Sequence, residues 1–101
     1  MRNLFISKKM IEIESDRMSV CMADDMYKHN IFSEFPENIS MEVLINKLLE
    51  IHPLTKHWAV WAGNHETHIH IKDIDGNWLI DKKMTIKKFF RDVDKYVYFY
   101  R

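Results

Sequence analysis

Residues 57–81 read HWAVWAGNHETHIHIKDIDGNWLID, and this stretch decides the fold expected for the chain. Apolar and polar residues alternate on both sides of Gly63-Asn64 and again on both sides of Asp75-Gly76. Alternation with a period of two is typical of half-buried strands, and such Gly, Asn and Asp dipeptides are typical of two-residue hairpin turns. The segment therefore predicts three antiparallel strands, over residues 57–62, 66–74 and 77–81.

The length of a hairpin turn determines which side chains share a face of the sheet. With Gly63-Asn64 as a two-residue loop, His57 lies opposite His70, and with Asp75-Gly76 as the second loop, His70 lies opposite Asp81. One face then carries the large apolar residues Trp58, Val60, Ala62, Ile69, Ile71, Trp78 and Ile80. The other face carries four polar candidates, which are His57, His68, His70 and Asp81.

These imidazoles and the carboxylate are ligand types that zinc and other divalent metals accept. One hypothesis is therefore a His-cluster metal-binding protein or a metal-dependent hydrolase, in which Asp81 could instead orient His70 as a general base. A flat sheet holds its side chains parallel, however, whereas a tetrahedral site needs them to converge. The favoured interpretation has no cofactor, and the histidines simply form hydrogen bonds.

The flanking segments supply two helices and another strand. Apolar residues at positions 86, 89, 90 and 93 predict a helix over 86–93 with Thr85 as its N-cap. Ser40 and Pro53 bound a second helix over 41–51. The alternating aromatic run 96–100 predicts a closing strand.

The N-terminal half is less regular. It suggests short strands over 3–6, 10–14 and 18–22, a short helix over 24–30 and a loop over 32–37. Together the segments predict one α+β domain over residues 1–101. Its antiparallel sheet (57–62, 66–74, 77–81 and 96–100, plus the N-terminal strands) packs against helices 41–51 and 86–93.

Composition excludes several classes of protein. The 101 residues contain one cysteine, Cys21, so no intramolecular disulfide is available, and 15 basic residues balance 15 acidic ones. No apolar run approaches the roughly 20 residues that span a bilayer. The two glycines both belong to predicted turns, which leaves none for a phosphate-binding loop. We expect a cytoplasmic protein that does not bind membranes.

Two surfaces are candidates for binding. Lys87, Lys88 and Arg91 lie on the outer side of the predicted 86–93 helix, close in sequence to the tyrosines of the last strand. Basic residues beside aromatic rings are typical of single-stranded nucleic-acid binding. Tyrosine and tryptophan are equally typical of protein interfaces. The predicted binding surface contains Trp61, Tyr96, Tyr98, Tyr100, Lys87, Lys88 and Arg91.

The favoured function is non-enzymatic binding of a protein partner, with single-stranded nucleic acid as the alternative. Lysine outnumbers arginine and isoleucine is abundant, a bias that an AT-rich coding sequence produces in many phages. The sequence therefore suggests a regulator or inhibitor encoded by a phage or mobile element, acting by contact in the host cytoplasm. The sequence predicts no particular oligomeric state.

Overall fold

The structure, a computed structural model, describes residues 9–18 and 30–101. The elements in this part of the chain are β1 (Met10–Arg17), β2 (Ile31–Pro36), α1 (Met41–Ile51), β3 (Ala59–Gly63), β4 (His68–Lys72), α2 (Ile86–Phe89) and β5 (Tyr96–Tyr100). The strand predicted over 3–6 lies outside the described residues, as do nearly all of the segments predicted over 18–22 and 24–30. Neither α1, with 11 residues, nor α2, with four, is long enough to cross a membrane.

All five strands form one mixed sheet in the order β2-β1-β5-β3-β4. β1 pairs with β2 and β3 pairs with β4 and β5 in antiparallel fashion, but β1 and β5 are parallel. The prediction of a wholly antiparallel sheet is therefore wrong. Parallel neighbours need a long crossover connection rather than a hairpin, and here most of the chain forms that connection.

Helix α1 has the predicted bounds and covers one face of the sheet. The Ser40 hydroxyl accepts a hydrogen bond from the Val43 amide at 3.2 Å, so the first turn is capped as its sequence requires. Five side chains of α1 are buried, namely Met41, Leu44, Ile45, Leu48 and Leu49. They pack with Ile13, Val97 and Phe99 of the central strands in one hydrophobic core.

Helix α2 is shorter than predicted. Thr85 caps it, but it ends at Phe89 rather than continuing to Val93. Ile86 and Phe89 are buried from this single turn, and Phe90 is buried from the capping position that follows it. Since three of the four apolar residues reach the core this way, their burial does not require a second turn.

The first hairpin has a longer loop than predicted. Trp61 pairs with His70 and Gly63 with His68, which leaves residues 64–67 as the loop. The Asn64 side chain accepts hydrogen bonds from the amides of Glu66 at 2.9 Å and Thr67 at 2.7 Å, so it stabilises the wider loop. The register is displaced by four residues. Because four is an even number, Trp61, His68 and His70 stay on their predicted face. A bulge between Val60 and Trp61 then brings Lys72 opposite the buried Val60.

The prediction of a third strand over 77–81 is wrong. A single bridge joins Lys72 to Trp78, one residue away from the predicted register. The Asp73 carboxylate organises the loop by accepting from the amides of Asp75 at 3.0 Å and Asn77 at 2.8 Å. These hydrogen bonds hold the pKa of Asp73 below its usual value.

Residues 32–37, predicted as a loop, instead provide most of β2. Phe35 of this strand is buried against the core, whereas Phe32 is 62% exposed. β2 lies at the edge of the sheet, where Pro36 can pair without its missing amide being needed. The strand predicted over 10–14 is present and continues to Arg17.

A buried polar pair connects β1 to the end of α1. The Ser15 hydroxyl lies 2.8 Å from Nε2 of His52, and both residues are at least 96% buried. The serine also donates to the carbonyl of Ile31 at 3.4 Å. The Ser15 hydroxyl has no exposed surface, so a substrate cannot reach it. We therefore assign the pair a structural role.

The two glycines provide a matched test of the β3–β4 hairpin. Gly63 has φ of +129°, and a Cβ there would lie 2.5 Å from the Thr67 carbonyl oxygen. Gly76 has φ of +90° with open space around it. We expect Gly76→Ala to lower the free energy of unfolding by about 1–2 kcal/mol through backbone strain alone. Gly63→Ala should cost more, because the backbone must also move.

Urea unfolding of both variants measures this difference. Equal losses of stability would contradict the close approach of Gly63 to Thr67.

Candidate functional site

The face of the sheet that points away from α1, here called the outer face, carries most of the aromatic side chains that the sequence singled out. On β5, Val97 and Phe99 are completely buried beneath α1. Successive side chains of a strand point to opposite faces, so Tyr96, Tyr98 and Tyr100 lie on the outer face, where they are half-buried. The predicted closing strand and its three outward tyrosines are confirmed.

Trp61 lies at the centre of this face. It pairs with Tyr98 on one side and His70 on the other, and only 7% of its surface is exposed. Its ring is stacked on His68, with 4.5 Å between centroids, and lies 5.2 Å from the ring of Tyr98. Ring contacts thus join seven residues, called here the aromatic surface: Trp61, His65, His68, His70, Tyr96, Tyr98 and Tyr100.

Hydrogen bonds fix two of the histidines in this surface. Nδ1 of His68 lies 3.0 Å from the Asn64 carbonyl oxygen, to which it can donate. Nδ1 of His70 lies 3.2 Å from the Tyr100 hydroxyl. The two imidazoles meet edge to face at 5.1 Å. The rings are therefore held in place before any partner binds.

Carboxylates border the aromatic surface on the side of β1. Ile13 and Ser15 of β1 face the core, so Glu12, Glu14 and Asp16 alternate onto the outer face. The parallel register places Glu14 beside Tyr96 and Asp16 beside Tyr98. The Tyr96 hydroxyl donates to Oδ2 of Asp16 at 3.2 Å.

Burial and these negative charges both disfavour the phenolate forms of the neighbouring tyrosines. The pKa of Tyr96 is raised well above its usual value, first by burial and then by Asp16. The pKa of Tyr98 is raised by the same two causes in the same order. Both tyrosines therefore keep their protons to a higher pH than an ordinary tyrosine does.

A groove opens at one end of the outer face, where the β3–β4 loop approaches β1. It has a volume of about 470 Å³ and is largely open to solvent. Its lining consists of Glu14, Asn30, Gly63, Asn64, His65, Asp94, Lys95 and Tyr96. We call it the end groove.

The basic residues that the sequence grouped with the tyrosines lie elsewhere. Lys87 and Lys88 belong to α2, whose buried side chains enter the core on the α1 side of the sheet. The Lys87 ammonium pairs with the Glu37 carboxylate at 3.8 Å, and Arg91 is exposed just beyond α2. The structure therefore brings Trp61 and the three tyrosines together, and it places the basic cluster on the opposite side.

The predicted metal ligands are also separated. His68 and His70 are neighbours on β4, but His57 precedes β3 and is exposed. Asp81 lies in the turn before α2, where it accepts a hydrogen bond from the Lys83 amide at 3.0 Å. Within residues 9–18 and 30–101, no three His, Cys, Asp or Glu side chains are arranged to hold a metal ion.

His65 and the carboxylates of β1 belong to this face although they were not predicted as binding residues. The alternation of Glu12, Glu14 and Asp16 was visible in the sequence. What the sequence did not reveal is that β1 lies beside β5, so that the carboxylates and the tyrosines become neighbours.

The raised tyrosine pKa values predict a late phase in an alkaline titration. Of the four tyrosines in the chain, Tyr96 should lose its proton well above pH 10 while the protein is folded. The folded state holds this proton more tightly than the unfolded chain does. Its contribution to stability is therefore complete below pH 10 and is lost as the pH rises further.

Ultraviolet absorbance of the phenolate measures the titration, and Tyr96→Phe should remove one late-titrating group. Titration of all tyrosines near pH 10 in the folded protein would contradict the burial and the Asp16 contact.

The comparisons with known proteins concern the fold. No protein-family model matches this sequence, and no curated protein matches it. Among solved structures, the chain is similar to the solution structure of the C-terminal ubiquitin-like domain of mouse tubulin-specific chaperone e, with a TM-score of 0.57. The match covers 93% of this chain and 88% of that one, at 5% sequence identity. The mixed five-stranded sheet with its helix on one face is thus a ubiquitin-like fold.

Proposed function

We propose that this chain is a non-enzymatic binding domain and that it contacts a protein partner through the outer face of its sheet. The observation that supports the proposal is the aromatic surface, in which seven rings contact one another on a rigid sheet. Tyrosine and tryptophan offer large contact areas with few rotatable bonds and a polar tip. Such residues dominate the binding energy of many protein interfaces.

The position of the helices supports the same proposal. In the described part of the chain, α1 and α2 both pack on the other side of the sheet, so neither covers the aromatic surface. Phe32, which pairs with Glu14 and therefore shares the outer face, extends the apolar area to β2 with 62% of its surface exposed. An apolar patch of this kind on one face of a small domain is typical of an interaction site.

The charges on the outer face argue against the nucleic-acid alternative. Glu14 and Asp16 flank the tyrosines on which bases would stack, and they would repel the phosphates of a bound strand. The lysines that the sequence predicted for this role, Lys87 and Lys88, lie on α2. A protein surface that offers apolar groups and cations fits this face better.

We propose further that binding is itself the activity, so that the domain regulates or inhibits its partner by covering part of the partner's surface. A phage or mobile-element source remains a proposal based on composition.

Affinity capture from cells that express the chain naturally tests the proposal. The test variant combines Tyr98→Ser with Tyr100→Ser on the outer face. The control combines Val43→Ser with Ile51→Ser, which are 39% exposed positions on α1. We expect the test variant to bind the captured partner at least about tenfold more weakly than wild type, as removal of interface aromatic residues typically does.

The control should bind like wild type, and circular dichroism should show that both variants are folded. A partner that binds the test variant as tightly as wild type, or that is lost only with the α1 variant, would overturn the proposal. Failure of the wild-type chain to capture any protein would also overturn it.

A further inference from the structure

We propose that the end groove receives an arginine side chain of the protein partner, so that the outer face recognises a basic segment. This inference rests on the proposed function, because it names the chemistry that the partner presents to the same surface. It depends on three features of the groove: two aromatic rings, two fixed carboxylates and the charge of the surroundings.

The rings provide a place for a planar cation. Tyr96 and His65 both line the groove, with 6.1 Å between their ring centroids and 50° between their planes. Each ring also contacts Trp61, which is almost completely buried. A guanidinium group stacks on aromatic faces and is less strongly hydrated than an ammonium group, so arginine fits such a site better than lysine.

The carboxylates of Glu14 and Asp94 are fixed by side-chain amides. Nδ2 of Asn30 donates to Oε2 of Glu14 at 2.7 Å, and Nδ2 of Asn64 donates to Oδ2 of Asp94 at 2.9 Å. Each carboxylate has lone pairs for further donors, and a guanidinium group presents five N–H bonds in a rigid fork. The acceptors are therefore positioned before the ligand arrives, which lowers the entropic cost of binding.

The surroundings of the groove are negative. The lining contains one lysine, Lys95, and two carboxylates, Glu14 and Asp94, so its net charge is negative. Asp16 accepts the hydrogen bond from the Tyr96 hydroxyl. Glu12 adds a further carboxylate on the same face of β1. The field of these carboxylates attracts a cation and repels a phosphate.

Nuclear magnetic resonance with a small probe tests the assignment without knowledge of the partner. N-acetyl-arginine amide is titrated into the ¹⁵N-labelled full chain, and N-acetyl-citrulline amide serves as the neutral probe of the same shape. We expect saturable shifts of the amide signals of Glu14, His65 and Tyr96 with the arginine probe. The citrulline probe should bind about two- to fivefold more weakly, as loss of a partly exposed ion pair implies.

Two variants locate the site. Glu14→Gln keeps an acceptor for Asn30 but removes one of the two charges, and it should weaken binding of the arginine probe about twofold. Glu50→Gln removes a charge from an exposed position on α1 and should leave the affinity unchanged. Equal binding of the two probes, an absence of saturable shifts, or no effect of Glu14→Gln would each overturn the inference.

The capture experiment separates this result from the proposed function. Capture that depends on Tyr98 and Tyr100, combined with no binding of the arginine probe, overturns the arginine assignment alone. Arginine binding without any captured partner supports the chemistry of the groove and overturns the proposed function.

Discussion

β1 and β5 lie side by side in the middle of the sheet, and their parallel pairing determines the character of both faces of the molecule. The Glu14 amide donates to the Lys95 carbonyl at 3.0 Å, and the Met18 amide donates to the Phe99 carbonyl at 2.9 Å. These bonds join segments about 80 residues apart, so their formation carries a large loss of chain entropy. Burial of Ile13, Val97 and Phe99 beneath α1 offsets this loss.

The same pairing produces the chemistry of the outer face. It places a strand of alternating carboxylates next to a strand of alternating tyrosines, with Trp61 on the next strand. Residues 1–50 carry nine acidic and six basic residues, whereas residues 51–101 carry the reverse. In the folded chain the acidic strand borders the aromatic surface, and the basic cluster of α2 lies on the opposite side. The separation of charge along the sequence is only partly kept in the fold, since Glu42 and Glu50 of the first half lie on α1 and Asp94 of the second half lines the end groove.

Local signals predicted the local structure well. The bounds of α1 follow from the capping hydroxyl of Ser40 and from Pro53, both of which act within one turn of the helix ends. The sidedness of β5 follows from strict alternation. The faces of Trp61, His68 and His70 were predicted correctly although their register was wrong, because an even displacement preserves the face.

The remaining features depend on contacts that a single sequence does not display. The two hairpin loops are wider than their Gly-containing dipeptides suggest, because the side chains of Asn64 and Asp73 accept hydrogen bonds from amides within the loops. The predicted proximity of His57, His70 and Asp81 depended on the registers of both hairpins. It is absent in the structure because both hairpin loops are longer than predicted. The position of β5 between β1 and β3 depends on tertiary packing. This position places the carboxylates of β1 beside the tyrosines of β5.

Cross-strand nuclear Overhauser effects between the backbone protons of residues 14–17 and 96–99 test the parallel pairing of β1 with β5. This pairing predicts contacts that place Ser15 opposite Val97 and Arg17 opposite Phe99, together with antiparallel contacts between β5 and β3. Contacts that place β1 beside another strand, or antiparallel to β5, would contradict it, because the carboxylates would then no longer border the aromatic surface.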